Sequence, residues 1–288
     1  MFQLKMLARA CIVFLLLISA SHVYSQTFYF TAIPDQDETQ LQERFNKIAL
    51  YLSQQLKIDV KYIPVKSYAA AISAFRNNQV QLAWFGALSG IQARKRVPNS
   101  EAIAQGFEDQ FFKTYFIAHT STGLKHAKLF PQGIKNKSFS FGSKGSTSGR
   151  LMPEYYIRQN LAGPKNAFTK VGFSGDHSRT IALVMAGSYD VGAVNYKVWE
   201  KMLKENRINE DLVSVIWQTP TYPDYQWSIR GDVNKVFGKS MKEKVTNALL
   251  NMADPELLNS FPRTSFIPAQ NSDYQNVLDT AQAIGIMD

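Results

Sequence analysis

Cysteine and histidine are scarce in this sequence. Among 288 residues there is one cysteine, Cys11, and there are four histidines. Cys11 lies in an N-terminal segment that we expect to be removed, which leaves the mature chain without a disulfide even in an oxidising compartment. Structural zinc sites are built from several Cys and His ligands. We therefore predict no metal site and no cofactor.

Common catalytic motifs are missing as well. The stretch Gly145-Ser146-Thr147-Ser148-Gly149 has threonine where a GxSxG hydrolase motif needs its nucleophilic serine. The preceding glycines lack the spacing and the Gly-Lys-Ser/Thr ending of a phosphate-binding P-loop. Ser146, His177 and Asp176 include the residue types of a catalytic triad, but adjacent Asp and His side chains in one loop seldom align in that way. We predict a protein that is not an enzyme; an enzyme that acts on a small phosphate or sulfate ester is the alternative.

Positive charge is in excess but is not concentrated. The chain has 32 Lys and Arg against 23 Asp and Glu, a formal net charge of +9. Removal of two cations, Lys5 and Arg9, with the N-terminal segment lowers this charge from +9 to +7. The lysines are spread among acidic residues, and the chain has no zinc-finger or RNA-binding motif. We predict no nucleic-acid partner and only a mild attraction for anions.

The first 25 residues have the features of a signal peptide. Lys5 and Arg9 form a basic region, and residues 11–20 are apolar but too few to span a bilayer. Val23-Tyr24-Ser25 ends in a small residue that suits cleavage. Cys11 stands at the start of the apolar run, which is the wrong end for a lipoprotein site. The segment predicts export to the periplasm without a lipid anchor.

The rest of the chain repeats one order of elements. In each half, short apolar strands alternate with amphipathic helices in the order β-α-β-α-β. Strands are predicted at 26–33, 59–64, 80–85, 138–141, 170–173 and 191–194. Helices are predicted at 38–56 and 68–76, and from 148 and 178 onward. This pattern predicts an α/β fold of two doubly wound lobes, with 26–118 plus 219–288 as lobe 1, 119–218 as lobe 2, and a hinge of two segments.

The stretch from Phe139 to Arg150 is the strongest candidate for a binding site. It is typical of a strand, then a loop of small residues, then the start of a helix. Ser146, Thr147 and Ser148 are good N-cap residues, and a helix N-terminus with free amides and hydroxyls favours a tetrahedral oxyanion. An ordinary helix cap is the alternative.

Other loops should converge on the same cleft, because ligands of open α/β sheets bind beyond the carboxyl ends of the strands. Tyr68 begins a helix after its cap Ser67, and His177 lies in a loop before another helix. Trp84 and Phe85 end a strand before a glycine turn. The alternatives are a core position for both aromatics of that strand, a surface loop position for His177 and a plain helix start for Tyr68.

Together these residues resemble a known family. The chain is similar to the periplasmic substrate-binding proteins of phosphate, phosphite and phosphonate ABC transporters, and within that group to a branch described as selenate-binding. The resemblance extends from about residue 28 to the C-terminus. It is carried by Tyr68-Ala69-Ala70, the run VQLAWFGALS from Val80 to Ser89, Ser146-Thr147-Ser148-Gly149 with Leu151-Met152-Pro153, Ser174-Gly175 with His177, and Asp190-Val191-Gly192-Ala193-Val194.

The resemblance implies a type II-like binding protein whose lobes close on a small oxyanion: selenate, sulfate, phosphite, a phosphonate or phosphate. It also implies a permease and an ATPase as partners, and we expect a monomer. By position, the residues implied to hold the oxyanion are Tyr68, Ser146, Thr147, Ser148 and His177, with Trp84 and Phe85 near the cleft.

Two departures from the family bear on selectivity. Phe112 stands where a tyrosine is common, which removes a hydroxyl, and Asn195 stands where many members carry aspartate. An ionised aspartate accepts a proton from a protonated oxyanion but repels an oxyanion that has none. If Asn195 turns its amide to the ligand, the site should favour fully ionised selenate or sulfate. A role for Asn195 in bracing the loop is the alternative.

Overall fold

The computed structural model describes residues 26–287. The predicted signal peptide therefore lies outside the described residues. Within 26–287 there is no helix that is both long enough and apolar enough to cross a lipid bilayer. The described chain forms a mixed α/β fold on two sheets, which confirms the predicted fold class, and the β-α-β-α-β order recurs in both halves.

The strands are β1 (Phe28–Ala32), β2 (Val60–Tyr62), β3 (Leu82–Phe85), β4 (Glu101–Gly106), β5 (Thr114–His119), β6 (Ser138–Phe141), β7 (Lys170–Phe173), β8 (Val191–Asn195), β9 (Val213–Gln218), β10 (Gln226–Ile229) and β11 (Phe266–Pro268). The helices are α1 (Glu38–Leu56), α2 (Tyr68–Arg76), α3 (Ala87–Arg94), α4 (Met152–Asn160), α5 (Pro164–Ala167), α6 (His177–Met185), α7 (Tyr196–Lys204), α8 (Val233–Phe237), α9 (Met241–Leu250), α10 (Pro255–Ser260) and α11 (Gln275–Ala283). A π-helical turn, Thr147–Leu151, leads directly into α4.

Each lobe is built around one sheet. Lobe 1 has the order β11-β4-β10-β3-β1-β2, in which β1 runs parallel to β2 and β3 whereas β10 runs antiparallel to β3 and β4. Lobe 2 has the order β7-β6-β8-β5-β9, in which β6 runs parallel to β7 and β8 whereas β5 is antiparallel to β8 and β9. The parallel strands in both sheets therefore direct their carboxyl ends, and the loops that follow, toward the other lobe.

Helix α1 shows how the apolar pattern becomes a core. The Asp37 side chain accepts hydrogen bonds from the Thr39 and Gln40 amides and so caps the helix start. The apolar residues at steps of three and four form one buried face, which packs on the lobe 1 sheet. These buried residues are Leu41, Phe45, Ile48, Leu52 and Leu56.

The crossings between the lobes differ from the prediction at one point. The sequence pattern put the first lobe limit at 118/119, which assigned β5 to lobe 1. β5 instead pairs with β8 and β9 in the lobe 2 sheet. The first crossing, 107–113, lies between β4 and β5, and the second crossing, 219–225, lies between β9 and β10. The two are joined by an isolated antiparallel bridge between Phe112 and Tyr222, with both N···O distances 2.9 Å. We therefore propose 112–113 and 219–222 as the segments about which the lobes move.

A buried ion pair fixes lobe 1 next to these crossings. Arg263 donates from Nε to Asp109 Oδ2 at 2.9 Å and from Nη2 to Oδ1 at 2.6 Å, and the Asp109 side chain is fully buried. Asp109 Oδ2 also accepts from the Gly106 amide, and the Asp109 carbonyl accepts from the Asp224 amide at 3.0 Å. This pair thus connects the end of β4, the segment after α10 and the second crossing.

Loss of the Asp109 carboxylate should be strongly destabilising. We expect Asp109→Ala to lower the free energy of unfolding by about 3 to 5 kcal/mol, because it leaves the Arg263 guanidinium buried without a counter-charge. Urea unfolding measures this, with Glu43→Ala on the exposed face of α1 as a control that should shift stability by less than about 0.5 kcal/mol. A loss for Asp109→Ala as small as that of the control would contradict the assignment.

Candidate functional site

Four helix N-termini meet between the two lobes. Each follows a loop at the carboxyl end of a strand, as the sequence pattern predicts. They begin at Tyr68 and Ala87 in lobe 1, and at Thr147 and His177 in lobe 2. The first amides of a helix have no intrahelical acceptor, and the positive end of the helix dipole lies there. Their convergence makes the interface between the lobes a place that favours a negatively charged ligand.

The turn from Ser146 to Ser148 is buried at this interface. Ser146 Oγ accepts from the Gly149 amide at 2.9 Å and so caps the π-helical turn. The Tyr68 ring of lobe 1 packs against Gly145, where an added Cβ would lie 3.1 Å from the Tyr68 Cβ, and the Tyr68 hydroxyl interacts with the Ser146 side chain. Glycine before the cap thus permits the close approach of the two lobes.

Thr147 joins the lobes directly. Its Oγ1 accepts from the Leu88 amide in the first turn of α3 at 3.0 Å. Thr147 and Ser148 are each only 1% exposed, and their own amides precede the first intrahelical hydrogen bond. One hydroxyl therefore ties two of the helix N-termini together, while adjacent amides remain available for an anion.

His177 is held as a neutral hydrogen-bond donor. Its Nδ1 accepts from the backbone N–H of Asn195 at 3.2 Å, so the proton of the neutral ring is on Nε2. Nε2 lies 3.4 Å from Ser148 Oγ. The residue is fully buried, and burial lowers its pKa to about 3. The Nε2–H group can thus donate to a ligand beside Ser148.

The geometry of His177 also removes the basis for a catalytic triad. The Asp176 side chain accepts from the Arg179 amide as the cap of α6, so it does not orient the imidazole. The ring nitrogen near Ser148 carries a proton and cannot act as its general base. Among residues 26–287, no group of three or more His, Cys, Asp or Glu side chains is placed to hold a metal ion.

Asn195 is buried next to His177, but both the oxygen and the nitrogen of its side-chain amide already have hydrogen-bond partners. Oδ1 accepts from the Lys197 and Val198 amides and caps α7. Nδ2 donates to the Tyr225 hydroxyl at 3.0 Å, which connects lobe 2 to the second crossing. This geometry favours the bracing role over a direct contact with the ligand.

Sequence reasoning missed two residues that extend this connection. Tyr225 donates from its hydroxyl to Asp35 Oδ2 at 2.8 Å, and the Asp35 carbonyl accepts from the His177 amide at 3.0 Å. Asp35 Oδ1 has no hydrogen-bond partner within the described chain. Burial raises the pKa of Asp35, against the opposing effect of Arg44. The position of Asp35 directly after β1, at the edge where the other loops converge, was an available signal.

Asp224 is the most consequential residue that the sequence pattern did not reveal. Its Oδ1 accepts from the Ala87 amide at 2.9 Å, whereas Oδ2 has no partner in residues 26–287. Burial raises the pKa of Asp224 to about 7, against the opposing effects of the Ala87 amide and the Thr147 hydroxyl. Oδ2 of Asp224 is thus a buried carboxylate oxygen without a hydrogen-bond donor, in a region where most of the other polar groups are donors.

Trp84 and Phe85 lie behind this site, in the core of lobe 1. Trp84 stacks on Tyr225 with ring centroids 5.5 Å apart, and Phe85 packs edge-on against Phe75 at 5.7 Å. The structure therefore favours the core alternative for both residues. Trp84 still acts on the site, because it fixes the ring whose hydroxyl joins Asp35 to Asn195.

The protonation state of His177 is directly measurable. We expect the neutral Nε2–H tautomer throughout pH 5 to 8, because burial and the hydrogen bond from the Asn195 backbone N–H both oppose protonation of Nδ1. Because folding lowers the pKa of His177, this residue should lower the free energy of unfolding progressively as the pH falls below about 6.5. Two-bond ¹H–¹⁵N correlation spectra test this, with His177→Gln to assign the signal. A titration midpoint near 6.5 would show that the ring is not held as described.

Comparison with known proteins agrees with this architecture. Residues 30–274 match the family described as ABC transporter, phosphonate, periplasmic substrate-binding protein. A probable phosphite-binding protein of an ABC transporter from Prochlorococcus marinus (strain MIT 9301), PhnD1, is 41% identical over 254 residues, which cover 85% of this chain and 86% of the relative. The phosphonates-binding periplasmic protein of Escherichia coli (strain K12) is 24% identical over 273 residues, covering 91% and 78%.

The solved structures show the same relationship. PhnD1 from Prochlorococcus marinus (MIT 9301), in complex with methylphosphonate, superposes with a TM-score of 0.88 at 39% identity, covering 91% of this chain and all of the other. These homologues are substrate-binding proteins of transporters and not enzymes, which confirms the prediction of a non-enzymatic role. The selenate-binding branch is not confirmed. The chain belongs to the family of periplasmic substrate-binding proteins of phosphonate ABC transporters.

Proposed function

We propose that this chain binds a singly protonated phosphorus oxyanion, with phosphite and methylphosphonate as the preferred ligands, in the cleft between the lobes. The observation that carries the proposal is the unpartnered Oδ2 of buried Asp224. An ionised carboxylate only accepts hydrogen bonds, so it needs a donor from the ligand. Phosphite and phosphonates are partly protonated near neutral pH and can supply one P–OH group.

The other groups around the cleft suit the remaining oxygens of such a ligand. The free amides of the turn that begins at Thr147, the Ser148 hydroxyl and the Nε2–H of neutral His177 are donors, and charge-assisted hydrogen bonds to an oxyanion are the strong ones. Tyr68 and Ser146 close over this turn from opposite lobes. A tetrahedral anion would then have donors on most sides and one acceptor at Asp224.

Selenate and sulfate fit this arrangement less well. Neither carries a proton at neutral pH, so either would place an unprotonated oxygen against the Asp224 carboxylate wherever that group is ionised, which is mainly above its pKa of about 7. Asn195, which was expected to favour these ligands, is engaged by the cap of α7 and by Tyr225. The named relatives are described as phosphite- or phosphonate-binding, which also supports a phosphorus oxyanion.

Asp224 should set the ligand ranking. At pH 7.5, above the pKa of about 7 that burial gives Asp224, we expect phosphite and methylphosphonate to bind at least about tenfold more tightly than sulfate or selenate, a difference of about 1.4 kcal/mol. Asp224→Asn should weaken phosphite binding and narrow or reverse this ranking, because the amide can donate to an unprotonated oxygen. Isothermal titration calorimetry measures both, and Asp279→Asn on the exposed side of α11 is the matched control. Tighter binding of sulfate than of phosphite by the wild type would overturn the proposal.

Substitution of the serine hydroxyls in the turn should distinguish ligand binding from helix capping. A hydrogen bond to a charged group contributes about 1.5 to 3 kcal/mol, so Ser148→Ala should weaken phosphite binding about tenfold or more with little change in stability. Ser146→Ala also removes the helix cap and should lower the free energy of unfolding by about 1 kcal/mol. Calorimetry combined with urea unfolding distinguishes the two effects. Unchanged phosphite affinity in both variants would show that the turn is only a structural cap and does not bind the ligand.

A further inference from the structure

The apolar face of the lobe 2 sheet extends beyond the helices that cover it. Phe139 and Phe141 on β6 are buried beneath α4 and α5, at 0% and 1% exposure. Their register partners on the edge strand β7 are Val171 and Phe173, which are 38% and 41% exposed. Phe173 stacks on Phe141 with ring centroids 5.5 Å apart, so the two strands form one continuous apolar face. Its outer edge, at Val171 and Phe173, lies open beside α4.

This open face forms the floor of a groove with a basic rim. The groove has a volume of about 420 Å³ and lies between α4, α5 and β7. Four cations surround it: Lys144, Arg150, Arg158 and Lys165. Lys144 Nζ and Arg150 Cζ lie 5.4 Å and 5.6 Å from the Phe173 ring centroid.

Negative charge in the groove is limited to one carboxylate, which is already shared. Glu154, 8% exposed at its side chain, pairs with Arg150 at 3.2 Å and with Arg158 at 2.6 Å. The rim therefore keeps a net positive charge. An apolar floor of this kind, surrounded by polar residues, is typical of an interaction site, and its charge favours a partner segment that is acidic and partly apolar.

The position of the groove connects it to the cleft. Lys144 lies in the loop that leads to Ser146, and Phe173 lies directly before the loop that leads to His177. Gly145 of the first loop packs against Tyr68 of lobe 1. The orientation of the groove relative to lobe 1 is therefore set by closure of the lobes. A partner that contacts this groove together with lobe 1 can distinguish the closed protein from the open one.

We propose that this groove is a docking surface for an acidic, partly apolar segment of the ABC permease that receives the ligand. The partner follows from family membership, and the surface follows from the uncovered apolar face and its unbalanced cationic rim. The proposal does not depend on which oxyanion the cleft binds.

Charge reversal on the rim tests the electrostatic part. The double variant Lys144→Glu/Lys165→Glu changes two exposed side chains, and we expect at least about tenfold weaker binding to the permease–ATPase complex in phosphatidylcholine nanodiscs, measured by biolayer interferometry. Wild-type binding should weaken as salt rises, because exposed charges are screened. Lys204→Glu, exposed at the end of α7 on the opposite face of the lobe 2 sheet, is the control and should bind like the wild type.

A second variant tests the apolar floor independently. Phe173→Ser should also weaken nanodisc binding, while calorimetry with phosphite reports on the cleft separately. Permease binding unchanged in both the charge and the apolar variant overturns the proposal, whatever the phosphite affinity. Phosphatidylglycerol vesicles form a third arm. If the wild type sediments with these vesicles through the same lysines but shows no charge-dependent binding to the nanodiscs, the surface faces the membrane and the proposal is wrong.

Discussion

Buried polar atoms need partners, and this requirement governs the closed cleft. Helix N-termini from both lobes bring amides and hydroxyls into a region that excludes water, and several of these groups satisfy each other across the interface. Thr147 accepts from Leu88, and Asn195 donates to Tyr225. Others keep free capacity, above all Asp224 Oδ2. A buried group without a partner costs free energy, so the closed form is complete only with a ligand that supplies the missing hydrogen bonds.

The pattern of donors and acceptors gives the cleft its chemical preference. Helix dipoles and hydroxyls favour negative charge in general, but they do not distinguish one tetrahedral anion from another. A neutral imidazole with its proton fixed on Nε2 adds a directed donor at His177. Among residues 26–287, Asp224 Oδ2 and Asp35 Oδ1 are buried carboxylate oxygens without a hydrogen-bond partner, so they add free acceptors to a site that is otherwise rich in donors. The proposed selectivity depends on an ionised carboxylate, Asp224, among many donors.

The frame behind the cleft keeps these groups in place. The Arg263–Asp109 ion pair is buried next to the second crossing, and the Asp109 carbonyl holds the Asp224 amide. Arg263 also lies over the Tyr225 ring, with Cζ 5.5 Å from its centroid. Asp224 and Tyr225 of the second crossing are therefore fixed by Asp109 and Arg263 from lobe 1. In lobe 2, the loops that follow β6 and β7 lead both to the cleft and along the basic groove, so one set of strands positions two surfaces.

Local patterns in the sequence determined the elements and were the basis for predicting part of the candidate site. Apolar periodicity was enough to predict α1, β3 and the repeated β-α-β-α-β order, because amphipathic helices and buried strands have distinct periods. Small hydroxyl residues before a helix were enough to predict the anion site at 146–148, and the convergence of such loops followed from the direction of parallel strands. These inferences needed only neighbours along the chain.

The tertiary structure decided what depends on contacts between distant segments. Asp224 and Tyr225 come from the second crossing, far along the chain from the turn at 146–148, and no local pattern shows that they enter the cleft. The roles of Trp84 and Asn195 were also open in the sequence, since a strand end can face either the core or the ligand. Packing against Tyr225 and the cap of α7 decided them. Pairing decided that β5 belongs to lobe 2, because strand partners separated by about a hundred residues leave no trace in local periodicity.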